Sequence, residues 1–137
     1  MGAERLTMKV ESLPKSAWEK ASHMLEPLKG ITLPTPGGWY ILCAQYVRPA
    51  KVGAILMPDR VRDEDKYQGR CGIVLAIGPD AYRGDKYPSG PWCKVGDWVA
   101  WPAVENAASR MEYAGVTVTA IPDDRVVLIG VDPERIT

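Results

Sequence analysis

Apolar positions fall in two different rhythms along this chain. Over 16–28, "SAWEKASHMLEPL", Trp18, Ala21, Met24, Leu25 and Leu28 recur at helical spacing. Ser16 with Glu19 three residues on reads as a capping box, and Pro27 and Gly30 end the segment. The pattern predicts one short amphipathic helix over about 15–26. Its apolar stripe either packs on the domain core or docks an arm on a partner subunit. "GITLPTPGG" then reads as a Pro/Gly linker.

From Trp39 onward the rhythm is that of strands. "WYILCAQYVR" (39–48) is rich in aromatic and β-branched residues. "GIVLAIG" (72–78) is an apolar run bounded by glycines, and "DWVAWPA" (97–103) sets Trp98 and Ala100 against Val99 and Trp101. "RMEYAGVTVTAI" (110–121) predicts two strands around Ala114-Gly115, and "RVVLIGV" (125–131) follows the turn "PDD". Five or six short strands with no helices between them predict an all-β barrel or sandwich. The expected division is an N-terminal arm, 1–36, and a β domain, 37–137.

Two stretches interrupt the strands. Residues 49–71 carry little regular signal, and structureless connections of that length are uncommon unless functional or disordered. Within them Gly53, Ala54, Ile55, Leu56 and Met57 form an apolar knot ahead of Pro58 and a charged tail. Periodicity alone allows 53–58 to be a short core strand as readily as a loop anchor. The other stretch, "PDAYRGDKYPSGPWC" (79–93), has the Gly, Pro and Asp content of a tight excursion or hairpin.

Composition narrows the function classes. The 137 residues balance 17 basic against 17 acidic side chains, so no basic face predicts nucleic-acid binding. No apolar run reaches membrane-span length, and no secretory signal opens the sequence. Cys43, Cys71 and Cys93 share no ligand spacing and read as small buried hydrophobes of a reducing compartment. His23 has no nucleophile or second histidine beside it and reads as a helix-surface residue. Asp123-Asp124 read as solvated turn residues. No glycine loop, carboxylate pair or nucleophile motif marks an enzyme, and no cofactor or metal is expected.

The order of the blocks is more telling than any one of them. "GAILMPD" in a long polar loop is followed by "GIVLAIGPDAY", then "KVGDWVAW", then "RVVLIGVDPERI". Over about residues 39–136 this order resembles the GroES-like co-chaperonin family, and with "WCKVGDWV" and "DPERI" most closely the bacteriophage-encoded type. The resemblance implies an irregular, partly open β-barrel with a long mobile loop at 50–70, a roof hairpin and, here, a short N-terminal helical arm. It implies a homo-oligomer, seven-membered in the family, that caps a chaperonin ring of host or phage in the host cytoplasm.

By the same resemblance Gly53, Ala54, Ile55, Leu56 and Met57 enter a groove on the chaperonin. Tyr82, Arg83, Gly84, Asp85, Lys86 and Tyr87 form the roof, and Ile41, Cys43, Tyr46, Val127, Leu128 and Ile129 lie between subunits. The N-terminal 36 residues have no counterpart in the basic co-chaperonin. A competing expectation is a virion decoration or assembly protein that reuses the barrel to dock on capsid protein. The alcohol dehydrogenase barrel shares a "VGDxV" turn, but the chain lacks its zinc ligands and has no room for its dinucleotide-binding half.

The triplet suits a reversible anchor. Burying three such side chains yields about 5–9 kcal/mol gross. Ordering the loop costs about 1–2 kcal/mol per residue in backbone entropy. One loop binds weakly on that balance, and several on one ring gain avidity through effective concentration.

Overall fold

A computed structural model describes residues 9–47, 70–102 and 110–135. The helix α1 spans Lys15–Leu25 and runs into a 3-10 turn at Glu26–Leu28. The strands are β1 (Tyr40–Gln45), β2 (Cys71–Ile77), β3 (Trp98–Ala100), β4 (Arg110–Tyr113), β5 (Val116–Pro122) and β6 (Leu128–Ile129). All six form one antiparallel sheet in the order β4-β5-β1-β2-β3-β6. The β-rich expectation therefore holds at the level of the sheet. The expected barrel does not close among the described residues, because β4 and β6 end the sheet as separate edges.

The reason for the open sheet lies in what covers its faces. One face carries Leu42, Ala44, Ile73, Leu75, Trp98, Val116 and Val118, and α1 lies on it through Ala17, Ala21, Met24 and Leu25. Val10, Leu13, Leu28 and Leu33 from the flanking segments join the same cluster. The helix thus packs on the sheet core, the first of the two roles its stripe allowed. On the other face Ile41, Cys43, Val74, Val99, Trp101 and Ile121 meet Ala81, Tyr82, Tyr87 and Cys93 of the 79–93 excursion. A sheet covered on both faces needs strands apolar on both sides, and β1 and β2 are buried along nearly their whole length. Each face is satisfied by another layer, so curling the sheet on itself is not required.

Local signals gave way to packing at the start of α1. The capping box does not form. The helix begins at Lys15, as the spacing predicts, but Pro14 rather than Ser16 holds the cap position, with no side-chain cap. Pro14 instead packs on the lead-in to β3: a Cβ on Gly96 would lie 2.7 Å from its Cδ. The β4–β5 turn is as expected, with Ala114 (φ 50°) and Gly115 (φ 85°) both left-handed, the geometry of a tight two-residue hairpin.

Gly72 is the tightest point of the central ladder. It pairs with Gln45, and a Cβ there would lie 2.1 Å from the Ala44 carbonyl oxygen and 2.8 Å from the Trp101 ring. Backbone cannot yield as a flexible side chain can. Gly72→Ala is expected to cost about 1–3 kcal/mol or more, measured as a lower urea midpoint at unchanged slope.

Candidate interaction surfaces

Three parts of the molecule bear on binding: the root of the 48–69 connection, the excursion, and the sheet edges. β1 and β2 are adjacent and antiparallel, with Gln45 opposite Gly72. The Tyr46 N–H donates to the Cys71 carbonyl at 2.9 Å. The chain therefore leaves the sheet after Val47 and re-enters at Arg70 from one closed root. Gly53, Ala54, Ile55, Leu56 and Met57 lie outside the described residues. Both neighbours of β1 are occupied, by β2 and β5, and both neighbours of β2, by β1 and β3. No slot between those strands is open to a further strand.

The root is braced from α1, a contact that no local sequence signal marks. His23 is exposed, but its Nε2 lies 2.5 Å from the Val47 carbonyl oxygen. Its ring meets Tyr46 edge-on at 5.9 Å, and Tyr46 meets Trp98 edge-on at 5.6 Å. A lone histidine on a helix carries no sequence mark for this contact; only the packing of α1 over the sheet brings it to the root.

At the opposite end of the sheet, β2 runs out into 79–93. No strand forms there; the segment is a tight, turn-rich excursion. Tyr82 and Tyr87 are buried, whereas Arg83, Gly84, Asp85 and Lys86 are exposed. The rings of Tyr82, Tyr87 and the half-exposed Trp92 pack together with centroids 5.1–5.8 Å apart. Asp123 holds the group in place. It is 4% exposed, and its carboxylate accepts from the Tyr82 N–H at 2.8 Å and the Tyr87 hydroxyl at 2.7 Å. The Asp123 N–H donates to the Trp39 carbonyl at 3.1 Å. This corrects the expectation of a solvated turn acid. Asp124 beside it does face solvent and pairs with Lys86.

Tyr82 has φ 59°, a left-handed conformation that a bulky side chain rarely adopts. Strain of this kind costs about 1–3 kcal/mol and persists only where surrounding contacts hold it; here the carboxylate accepts that residue's own N–H. Burial pushes the Tyr82 phenol well up, with the Cys93 contact adding to it, and burial followed by the Asp123 hydrogen bond does the same for Tyr87. Both remain hydrogen-bonding phenols across the ordinary pH range.

All three cysteines are free and buried. Burial pushes Cys71 up to about 11, raises Cys93, and raises Cys43 well above the usual thiol range, with Cys93 contributing to the last. A thiol held protonated is a poor nucleophile and metal ligand. Among the described residues no cluster of His, Cys, Asp and Glu is placed to hold a metal ion, and no helix is long and apolar enough to cross a membrane.

The six residues expected between subunits divide sharply. Ile41 and Cys43 are 0% exposed and belong to the central strand β1, so they are core rather than surface. Tyr46 is half-buried at the root of the 48–69 connection. Val127, Leu128 and Ile129 are 60%, 57% and 48% exposed, on and beside the edge strand β6. Periodicity could not separate these cases, because "YILCA" and "VVLI" are equally apolar; position in the sheet does. No protein-family model matches this chain, and no curated protein matches it.

Proposed function

We propose that this protein is a bacteriophage-type co-chaperonin that caps a chaperonin ring through the apolar segment 53–57 and assists folding of a client such as a capsid protein. The observation that carries the reading is the placement of the two interrupting stretches. The 48–69 connection leaves from the Tyr46–Cys71 end of the β1–β2 pair, while 79–93 leaves from the other end, near Tyr40 and Gly78. A strand of six residues separates them by about 20 Å. A lid needs this polarity, with the anchor on the side facing the chaperonin and the excursion on the side facing away.

The block order of the sequence supports the same reading, as do the uncharged, exposed residues of β6, which suit a homo-oligomer. The same reading takes the fold as a partly open GroES-like form, left unclosed between β4 and β6 among the described residues. The chaperonin supplies the nucleotide chemistry, and this chain supplies contacts.

The test mixes the purified protein with a bacterial chaperonin and ATP and looks for capped rings by sedimentation and electron microscopy. Wild type is expected to cap. Ile55→Asp and Leu56→Asp are each expected to weaken capture at least about tenfold, since a charge replaces an apolar anchor and the loss repeats on every loop. Equal capture by the variants, or none by wild type, defeats the reading. Stoichiometric copies in purified virions would favour the decoration role instead.

A further inference from the structure

The tip of the 79–93 excursion reads Arg83-Gly84-Asp85, a cation and a carboxylate on either side of a glycine. All three residues are exposed. A charged turn is ordinarily no more than solvated surface. Two features set this one apart: what pins it and what it leaves unpaired.

Both flanks of the tripeptide are tied to one dipeptide, Asp123-Asp124. The Asp123 carboxylate accepts from the Tyr82 N–H at 2.8 Å on one flank and from the Tyr87 hydroxyl at 2.7 Å on the other. The Lys86 ammonium pairs with Asp124, and the Tyr87 N–H closes the turn by donating to the Gly84 carbonyl at 3.1 Å. The backbone is left-handed on both sides of Arg83, at Tyr82 (φ 59°) and Gly84 (φ 93°). A Cβ on Gly84 would meet nothing within 4 Å. The glycine therefore serves its backbone angle, and its open side lets a partner approach the chain closely.

The charges divide in the same way. Lys86 pairs with Asp124, and Lys94 with Asp97. The side chains of Arg83 and Asp85 have no hydrogen bond or ion pair among the described residues. A fixed tip with two such charges of opposite sign suits a partner that supplies both complements. A phosphate surface would attract the guanidinium and repel the carboxylate. A carboxylate fork instead takes a guanidinium through two parallel hydrogen bonds. For the aspartate, an exposed lysine contributes little, whereas a divalent cation takes carboxylate oxygen as a direct ligand.

We propose that Arg83-Gly84-Asp85 is a recognition tip for a protein receptor of the integrin type, one that holds the Arg83 guanidinium in a carboxylate-lined pocket and takes the Asp85 carboxylate onto a bound divalent cation. The fold has already ordered the tip, so binding does not bear that entropy. The proposal goes beyond the lid reading and is tested separately, on the purified chain with no chaperonin present.

The experiment captures the full-length protein on a biosensor and passes over it a panel of soluble integrin ectodomains that recognise this tripeptide, in manganese and again in EDTA. Binding in manganese and its loss in EDTA are expected. Arg83→Ala and Asp85→Glu are each expected to weaken binding at least about tenfold, the first by removing the fork and the second by moving the carboxylate one methylene off the cation. Both side chains are exposed, so circular dichroism of either variant should match wild type. Asp80→Ala removes another exposed acid of the excursion and is expected to leave binding unchanged. The linear peptide of residues 82–87 is expected to bind about tenfold more weakly than the folded chain.

No binding to any receptor of the panel overturns the proposal, as does binding that survives EDTA or ignores Asp85→Glu. A linear peptide that binds as tightly as the protein overturns the claim that the fold preorganises the tip. Capture by heparin instead of the receptors, sensitive to Arg83→Ala and not to Asp85→Glu, assigns the tip to a polyanion and overturns it as well.

Discussion

Deleting residues 1–36 is expected to abolish cooperative unfolding of the remaining chain. The segment reads as an arm in the sequence, but in the fold it supplies the cover for one face of the sheet. Val10, Ala21, Leu25 and Leu28 are 0% exposed, and Leu13, Ala17 and Leu33 are nearly so. Without them Leu42, Ala44, Ile73, Leu75 and Val118 face water. Each buried side chain of the Val or Leu class is worth about 1.5–3 kcal/mol. Domains of this size hold only about 5–15 kcal/mol in total, and losing Val10, Leu13, Met24, Leu25, Leu28 and Leu33 together forfeits about 9–18 kcal/mol, as much as the fold has in reserve or more.

A point variant tests the same claim with the chain intact. Leu25→Ala should lower stability by about 2–5 kcal/mol, the usual cost of a cavity at a buried leucine. Chemical denaturation followed by tryptophan fluorescence reads both variants, since Trp98 lies in the same cluster. A truncated chain that unfolds cooperatively at the wild-type midpoint would show that α1 is an appendage after all.

Asp123→Ala is expected to cost about 2–5 kcal/mol, from two buried donors each left without an acceptor. The Tyr82 N–H and the Tyr87 hydroxyl lose their partner, and the left-handed Tyr82 loses the contact that holds it. The damage should concentrate in 79–93. Amide exchange there is expected to accelerate more than in β1 or β2, and Trp92, packed on both tyrosines, should report it by fluorescence. Tyr87→Phe removes only one of the two hydrogen bonds and is expected to cost about 1 kcal/mol. Uniform loss of protection across the sheet would mean that Asp123 serves the global fold rather than the excursion.

Much of the fold was legible because it depends on local chemistry. The helix boundaries, the strand order along the chain and the turn at Ala114-Gly115 follow from spacing and from the few residues that tolerate left-handed backbone. The Pro/Gly/Asp-rich 79–93 was readable as an excursion, though not as one whose tyrosines turn inward. The candidate site was legible only as composition. An apolar triplet in a charged stretch marks itself, and 53–57 lie outside the described residues.

What the tertiary structure decided were the long-range contacts, which no local window encodes. Asp123 and Asp124 are the same residue type side by side, yet one is sealed under Tyr82 and Tyr87 and the other pairs with Lys86 at the surface. "YILCA" and "VVLI" read alike, yet one is the central strand and the other an edge. Trp98 and Trp101 lie on opposite faces, each in its own cluster. The sequence by itself determined which segments are strands and which is the helix, because hydrophobic period and turn chemistry act within a few residues. Only the packing of those elements decided which apolar surface is core and which stays exposed, because burial depends on what arrives from elsewhere in the chain.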